Sequence, residues 1–314
     1  LYDLNGKEIR VVNEVPLTEI MPKGFGAVRT GKRNMGWRDD KPATLYYVEA
    51  LDGGDPATKV PFRDAIFTWE APFSKVPVPL AKTQQRFSNI TWGNEKTALV
   101  YDNWYDTRNV KTYLIDPSQT VEQGKIIFDR NYQDIYNDPG NFETRKNAYN
   151  RDVLAIENEN LFLIGEGYTE KGQFPFIDAF NLKTLKPNRL YQSAYTDKKE
   201  DIFSIEDFKD GLALVQIQSK NEYPNYYFRN FKEKDKIQQI TFNKNPFESI
   251  KDVEKEVIKY KRADGVELSG TLYLPLGYDK TKKEKLPLLI WAYPEEFKDK
   301  NSAGQSSKNS NEFT

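Results

Sequence analysis

Apolar and polar positions alternate with a period of two along most of this 314-residue chain, the spacing of a strand with one buried face. The runs are short, rich in aromatic and β-branched residues, and bounded by Gly, Asn, Asp and Pro, so they read as strands joined by tight turns. Residues 1–12 predict a hairpin around Asn5-Gly6. Four longer units follow. In the first, 24–29, 43–50 and 64–69 read as the second, third and fourth strands. The second unit holds 87–92, 97–104, 110–115 and 125–128. The third holds 153–156, 160–164, 175–180 and 188–191, and the fourth 202–205, 212–217, 225–230 and 237–241.

The third strands recur roughly 50 to 70 residues apart, somewhat longer than the ~40–50 of common propeller repeats. Units of about four antiparallel strands fit a mainly β chain built as a β-propeller, incomplete here, whose radial packing protects sheet edges. A β-sandwich of hairpins is the other architecture the pattern allows. We place the blades at 1–244. Residues 245–255, polar and containing Pro246, read as a connector.

From 257 to 275 two strand-like runs flank an Asp264-Gly265 turn. The alternation then stops. Leu288, Leu289, Ile290, Trp291 and Ala292 form the densest apolar run in the chain, as in a strand covered on both faces, usually a parallel one. Residues 256–314 therefore read as the start of a second domain. The polar tail 298–311 has no apolar face, and is expected to be mobile unless another part of the protein covers it.

Composition removes several kinds of chemistry. Histidine and cysteine are both absent, so the chain alone completes no Ser-His-Asp triad, disulfide, thiolate site or His-ligated metal centre. A net charge of −1 gives no basic field for nucleic acid. No apolar run reaches the ~20 residues of a membrane span. Lack of cysteine fits a cytoplasmic and a periplasmic or secreted setting equally. We expect no cofactor and no metal.

Several stretches carry a resemblance. They are Gly36-Trp-Arg-Asp-Asp-Lys-Pro-Ala-Thr-Leu-Tyr-Tyr-Val-Glu-Ala-Leu-Asp-Gly-Gly-Asp55, Trp104-Tyr-Asp-Thr-Arg108, Tyr136-Asn-Asp-Pro-Gly140, and Trp291-Ala-Tyr-Pro-Glu-Glu-Phe297 continuing to Gln305. With the order of propeller, Asp-Gly hairpin, Tyr273-Leu-Pro275 and apolar strand, the chain resembles the prolyl oligopeptidase family of serine peptidases, in its glutamyl endopeptidase-like branch. The resemblance implies that 256–314 begins an α/β-hydrolase domain, that the substrate is a peptide, and that the propeller limits access to the site. It implies a Ser-Asp-His triad, but no Gly-x-Ser-x-Gly turn occurs here. Gly304-Gln-Ser306 is the nearest fragment. The chain thus ends, on this reading, before the family's nucleophile and should be inert alone. A non-catalytic propeller that binds protein or peptide is the alternative.

By the same resemblance Tyr293, at the end of the apolar run, is the candidate oxyanion donor; it fits equally well as a packing residue under a loop. Pro294-Glu295-Glu296 departs from the Gly-rich turn of the wider family. Preference for Glu would require a cation, and Arg33, Arg38 and Arg108 lie in or beside the motifs as candidates; ion pairs within the fold are the competing role. Arg38-Asp39-Asp40-Lys41 can pair internally. Asp52-Gly53-Gly54-Asp55 reads as a turn rather than a calcium loop, lacking the spaced ligands. Trp104 and Tyr105 fit either a peptide tunnel or the core.

Overall fold

The computed structural model describes residues 1–233, 236–282, 284–293 and 295–313. Its contacts divide the chain into two compact units, 1–131 with 144–155, and 132–143 with 156–313.

The first unit contains two four-stranded antiparallel sheets. One runs in the order β1 (Arg33–Trp37), β2 (Thr44–Ala50), β3 (Asp64–Glu70), β4 (Val78–Thr83), and the other β5 (Arg86–Asn94), β6 (Thr97–Trp104), β7 (Asn109–Ile115), β8 (Lys125–Asn131). Strands β5 to β8 coincide closely with the strands read from the pattern. The first sheet corrects it. Residues 24–29 form no strand, because Gly24 (φ 110°) and Gly26 (φ 82°) bend the chain out of the extended region. Strand β1 is mostly exposed and bulged, and β4 carries Pro79, tolerated because β4 is an edge strand; neither buries one face cleanly. Residues 1–12 keep the turn, with Gly6 at φ 80°, but only Tyr2 and Glu8 form a bridge.

The two sheets share one core. Val48, Ile66 and Leu80 of the first pack with Ile90, Trp92, Val100 and Tyr113 of the second. Side chains of this size each contribute about 1.5–3 kcal/mol when fully buried, so this shared layer, more than any surface ion pair, holds the two sheets together.

The second unit repeats the scheme. Its first short strand, β9 (Asn141–Phe142), precedes a hairpin that belongs to the other unit, β10 (Thr144–Lys146) paired with β11 (Asp152–Leu154). Then come β12 (Asn160–Gly165), the small hairpin β13 (Tyr168–Thr169) and β14 (Gly172–Gln173), β15 (Phe176–Asn181) and β16 (Lys186–Gln192). The sheet order is β16-β15-β12-β9. The sheet's first strand is therefore 141–142, not 153–156 as the pattern suggested. A two-residue strand has no periodicity to read, whereas the apolar stretch 153–156 found its partner in β10. Arg151 secures that hairpin, its Nη1 donating to the carbonyls of Arg38 (3.0 Å) and Lys41 (2.9 Å).

The last four-stranded sheet is β17 (Lys199–Asp207), β18 (Leu212–Gln218), β19 (Asn225–Asn230) and β20 (Ile237–Gln239). Along β18, Ala213, Val215 and Ile217 point inward at every second position, joining Phe162, Ile177, Ala179 and Tyr191 in the second core. The hairpin expected around Asp264-Gly265 is present as β21 (Glu254–Lys261) and β22 (Glu267–Leu274), with Gly265 at φ 84°.

Beyond β22 the expectation of a buried strand is not met. Residues 285–293 pair with no strand, and Leu289 and Trp291 are each 92 % exposed. A central strand takes backbone hydrogen bonds from neighbours on both sides, and among the described residues none lies alongside. The one α-helix among the described residues, α1 (Lys300–Ala303), is capped by Asp299, whose side chain accepts from the Ser302 amide at 2.8 Å. No helix among them is long and apolar enough to cross a membrane.

Candidate functional site

Tyr293 stands on the unpaired run, 91 % exposed, and Pro294, the first residue of the Pro294-Glu295-Glu296 stretch, lies outside the described residues. The chain is then held again. Gln133 Nε2 donates to the Glu296 carbonyl (2.6 Å), and its Oε1 accepts from the Lys298 amide (3.3 Å). Further on, Gln305 forms a clasp: its Oε1 accepts from the amides of Ile135 (2.8 Å) and Tyr136 (3.2 Å), and its Nε2 donates to Asp134 Oδ1 (2.7 Å). The Tyr136 hydroxyl accepts from the Ser306 amide (3.0 Å). Burial works against the Asp134 carboxylate, yet hydrogen bonds from Asn137 and Gln305 hold it below the usual carboxylate range. The structure thereby joins two of the sequence motifs, Tyr136–Gly140 and the stretch ending at Gln305. It also pins the tail expected to be mobile: Asn311 Nδ2 donates to the Thr196 carbonyl (2.9 Å), and Phe313 packs edge-on to Tyr223.

Gly140 closes the loop before β9 at φ 86°. A Cβ there would lie 2.3 Å from the Ile164 carbonyl oxygen, so the close approach of loop and strand requires glycine.

The three candidate arginines go to separate partners. Arg33 pairs with buried Asp64. Arg38 makes a bidentate pair with Asp40, at 3.0 and 2.7 Å, and its guanidinium covers the Trp92 ring at 4.4 Å. Arg108, at φ 55° after a short 3-10 turn, donates to the Tyr105 carbonyl and stacks on the Tyr105 ring at 3.8 Å. Tyr105 itself stacks on Phe25, and Trp104 lies under the Arg63 guanidinium.

Arg86 escaped the sequence reading, and it organises the first unit's buried charges. Its Nη2 donates to Asp52 Oδ2 (2.7 Å) and its Nη1 to Asp52 Oδ1 (2.9 Å) and Asp64 Oδ1 (3.2 Å), while Arg63 also pairs with Asp52 (2.7 Å). Burial alone would raise the Asp52 carboxyl, but the arginine hydrogen bonds outweigh it and hold it low. Asp52-Gly53-Gly54 is thus a turn whose carboxylate serves arginines. Among the described residues no group of three or more acids could hold a metal ion.

Two carboxyls are pushed the other way. Burial raises Asp102 to about 6, against hydrogen bonds from Tyr113 and the Gln85 amide. Burial likewise raises Glu143 to about 7. They belong to different units, and neither unit offers a histidine to complete a nucleophile–base pair.

The second unit also contains a cavity of about 360 Å³ between the β13–β14 hairpin, the 195–198 loop, β21 and residues 306–311. Lys171, Lys198, Lys259 and Lys308 lie on its lining, with Glu170 as the one acid. No periodicity marks this set, which comes from four separated stretches.

No protein-family model matches the chain. It is 38 % identical, over its whole length, to a rice protein (Oryza sativa subsp. japonica) named "Probable glutamyl endopeptidase, chloroplastic", and 36 % identical to one of the same name from Arabidopsis thaliana. It covers 35 % and 34 % of those proteins, about a third of their length. Among solved structures it is similar to oligopeptidase B from Trypanosoma brucei, with a TM-score of 0.46 at 11 % identity, over 79 % of this chain and 32 % of that one. It is also similar to dipeptidyl peptidase 4 from Porphyromonas gingivalis, with a TM-score of 0.45 at 12 % identity, over 78 % and 42 %. The resemblance carried by the motifs is borne out in its narrower part: over its whole length the chain is a homologue of proteins named as glutamyl endopeptidases.

Proposed function

We propose that the chain is the propeller portion and the beginning of the hydrolase domain of a serine peptidase that cleaves peptides after Glu. The observation that carries this reading is the 38 % identity to a protein named as a glutamyl endopeptidase, sustained across all of the chain. Two pairs of four-stranded antiparallel sheets, each pair with one shared core, fit blades at 1–244. The connector is then 245–255 and the hydrolase start 256–314.

In the whole protein, Ser, Asp and His from outside this chain perform acyl transfer: Ser attacks the scissile carbonyl, His carries the proton, and Asp orients His. The run 285–293 takes its place as a sheet strand when neighbouring strands supply the missing backbone partners, which covers Leu288–Ile290. That pairing fixes Tyr293, whose hydroxyl donates to the developing oxyanion. The blades restrict entry to unfolded peptides. Arg33, Arg38 and Arg108 keep their internal partners, and so leave recognition of the substrate carboxylate to other cations.

The test uses the whole protein. It should cleave peptides after Glu, react with a serine-directed phosphonate, and lose at least tenfold in kcat with little change in KM on Tyr293→Phe. The 314-residue chain alone should turn over nothing. Failure of the phosphonate to label, or cleavage indifferent to Glu, would overturn the reading.

A further inference from the structure

The lysine-lined cavity of the second unit lies outside everything assigned above. Its charge is not neutralised by its surroundings. Lys198 is paired with Glu222 (2.7 Å), and Lys259 Nζ donates to the Glu170 backbone carbonyl (3.3 Å); the Glu170 carboxylate, the one acid on the lining, offsets one of the three remaining lysines and leaves two positive charges in excess. The other acids nearby are occupied: Asp201 and Glu312 pair with Lys199 (3.3 and 3.4 Å), and Glu166 accepts from Gln173 (2.8 Å). Lys171 and Lys308 have no side-chain partner among the described residues, so two ammonium groups from different elements border one opening in a chain of net charge −1.

The walls are held in place. Buried Gln173 accepts from Asn309 Nδ2 (3.0 Å), and Asn311 Nδ2 ties the tail to the Thr196 carbonyl (2.9 Å). Tyr195 accepts from Arg229 Nη2 (3.0 Å), and Arg229 is itself fixed by buried Glu200. With its oxygen occupied as an acceptor, the Tyr195 hydroxyl keeps its proton to donate. Phe174 and Val257 add apolar surface for methylene groups. Fixed donors, an apolar wall and two uncompensated cations in a cavity of about 360 Å³, at the small end of ligand-sized pockets, select an anion with an aliphatic stem.

We propose that this cavity binds the acidic side chain of a peptide, seating a glutamate or aspartate carboxylate between Lys171 and Lys308. The proposal rests on the peptidase reading for the source of the peptide. The cation expected from Glu preference is then an exposed lysine pair in the second unit, and not Arg33 or Arg38, which pair with Asp64 and Asp40, nor Arg108, which is held by the Tyr105 carbonyl and ring.

Binding to the 314-residue chain tests this without any catalytic step. Fluorescence anisotropy with a labelled oligoglutamate peptide should show saturable binding that weakens with salt, and oligoglutamine should not bind. Lys171→Gln or Lys308→Gln should each weaken oligoglutamate by about two- to fivefold, and Lys171→Glu with Lys308→Glu by about tenfold or more. Lys186→Glu, an exposed control on β16, should leave binding within about twofold. Circular dichroism identical to the parent chain shows that each variant is folded. Equal binding of oligoglutamine, displacement by equimolar inorganic phosphate, or indifference to the double reversal would overturn the proposal. Each of those outcomes leaves Glu-specific cleavage by the whole protein standing, whereas phosphonate-resistant whole protein with lysine-dependent binding intact would sink only the peptidase reading.

Discussion

Asp102 offers a test of how the first unit holds its core. The carboxylate is fully buried on β6, accepts from the Tyr113 hydroxyl (2.7 Å) and the Gln85 amide (2.9 Å), and leaves Oδ1 without a hydrogen bond. Burial lifts it from 3.8 to about 6. The folded state therefore binds the proton more tightly than the unfolded state, and between those two values it carries more protons. Stability contributed by this group is fully present below about pH 4, falls as pH rises, and is lost above about pH 6. The gap corresponds to about 3 kcal/mol. Asp102→Asn removes the titration while keeping a carbonyl oxygen for Tyr113 and Gln85. The experiment is urea unfolding of both proteins from pH 4 to pH 8, followed by tryptophan fluorescence. Four of the five tryptophans, Trp37, Trp69, Trp92 and Trp104, lie in this unit and Trp291 is exposed, so the signal reports the unit that contains Asp102. The difference in unfolding free energy between parent and variant should move by about 2–3 kcal/mol across that range, in favour of the variant at the higher pH. Parallel profiles would refute the argument, because they would mean that the native carboxyl titrates where the unfolded one does.

Three further outcomes follow from the same physics. Asp52→Asn should destabilise the first unit by about 3–5 kcal/mol in urea unfolding, because Arg86 and Arg63 lose their shared counter-charge in a buried site; a loss under about 1 kcal/mol would show that water reaches the cluster. Gln305→Ala deletes three hydrogen bonds to the 134–136 loop and should speed amide exchange across 296–313 while leaving the first unit's unfolding unchanged. Gly140→Ala forces a Cβ to 2.3 Å from the Ile164 oxygen at φ 86°, and should cost the second unit about 2 kcal/mol or more; thermal unfolding within a degree of the parent would contradict the close approach.

Much of this was legible in the residues themselves. Period-two alternation is a local property, since neighbouring side chains on a strand face opposite ways whatever the partner. Strands β5 to β7, β12, β15, β18 and β19 could therefore be read nearly to their ends, and β8 and β17 in part, as could the Asp264-Gly265 hairpin, whose turn needs only a residue that tolerates positive φ. The absence of histidine and cysteine excluded whole classes of chemistry without any structure, and the long motifs pointed to glutamyl endopeptidases, the name carried by the chain's rice and Arabidopsis relatives. Pairing was not legible, because it depends on what lies across the sheet. Residues 153–156 looked like a blade's first strand, and only the fold showed β11 taking β10 as its partner while two residues, Asn141 and Phe142, filled that place. The polar tail gave no sign that Gln305 would find Asp134 and the Ile135 amide, some 170 residues away in sequence. The Arg38–Asp40 pair was legible within Arg38-Asp39-Asp40-Lys41, whereas Arg33 could be read as a substrate cation or an ion-pair partner until tertiary packing set Asp64 against it. Apolar content told that Leu288, Leu289 and Ile290 must be covered for a strand to persist. Whether they are covered depends on neighbouring backbone, and hydrogen-bond partners and burial are supplied by the rest of the fold rather than by the run itself.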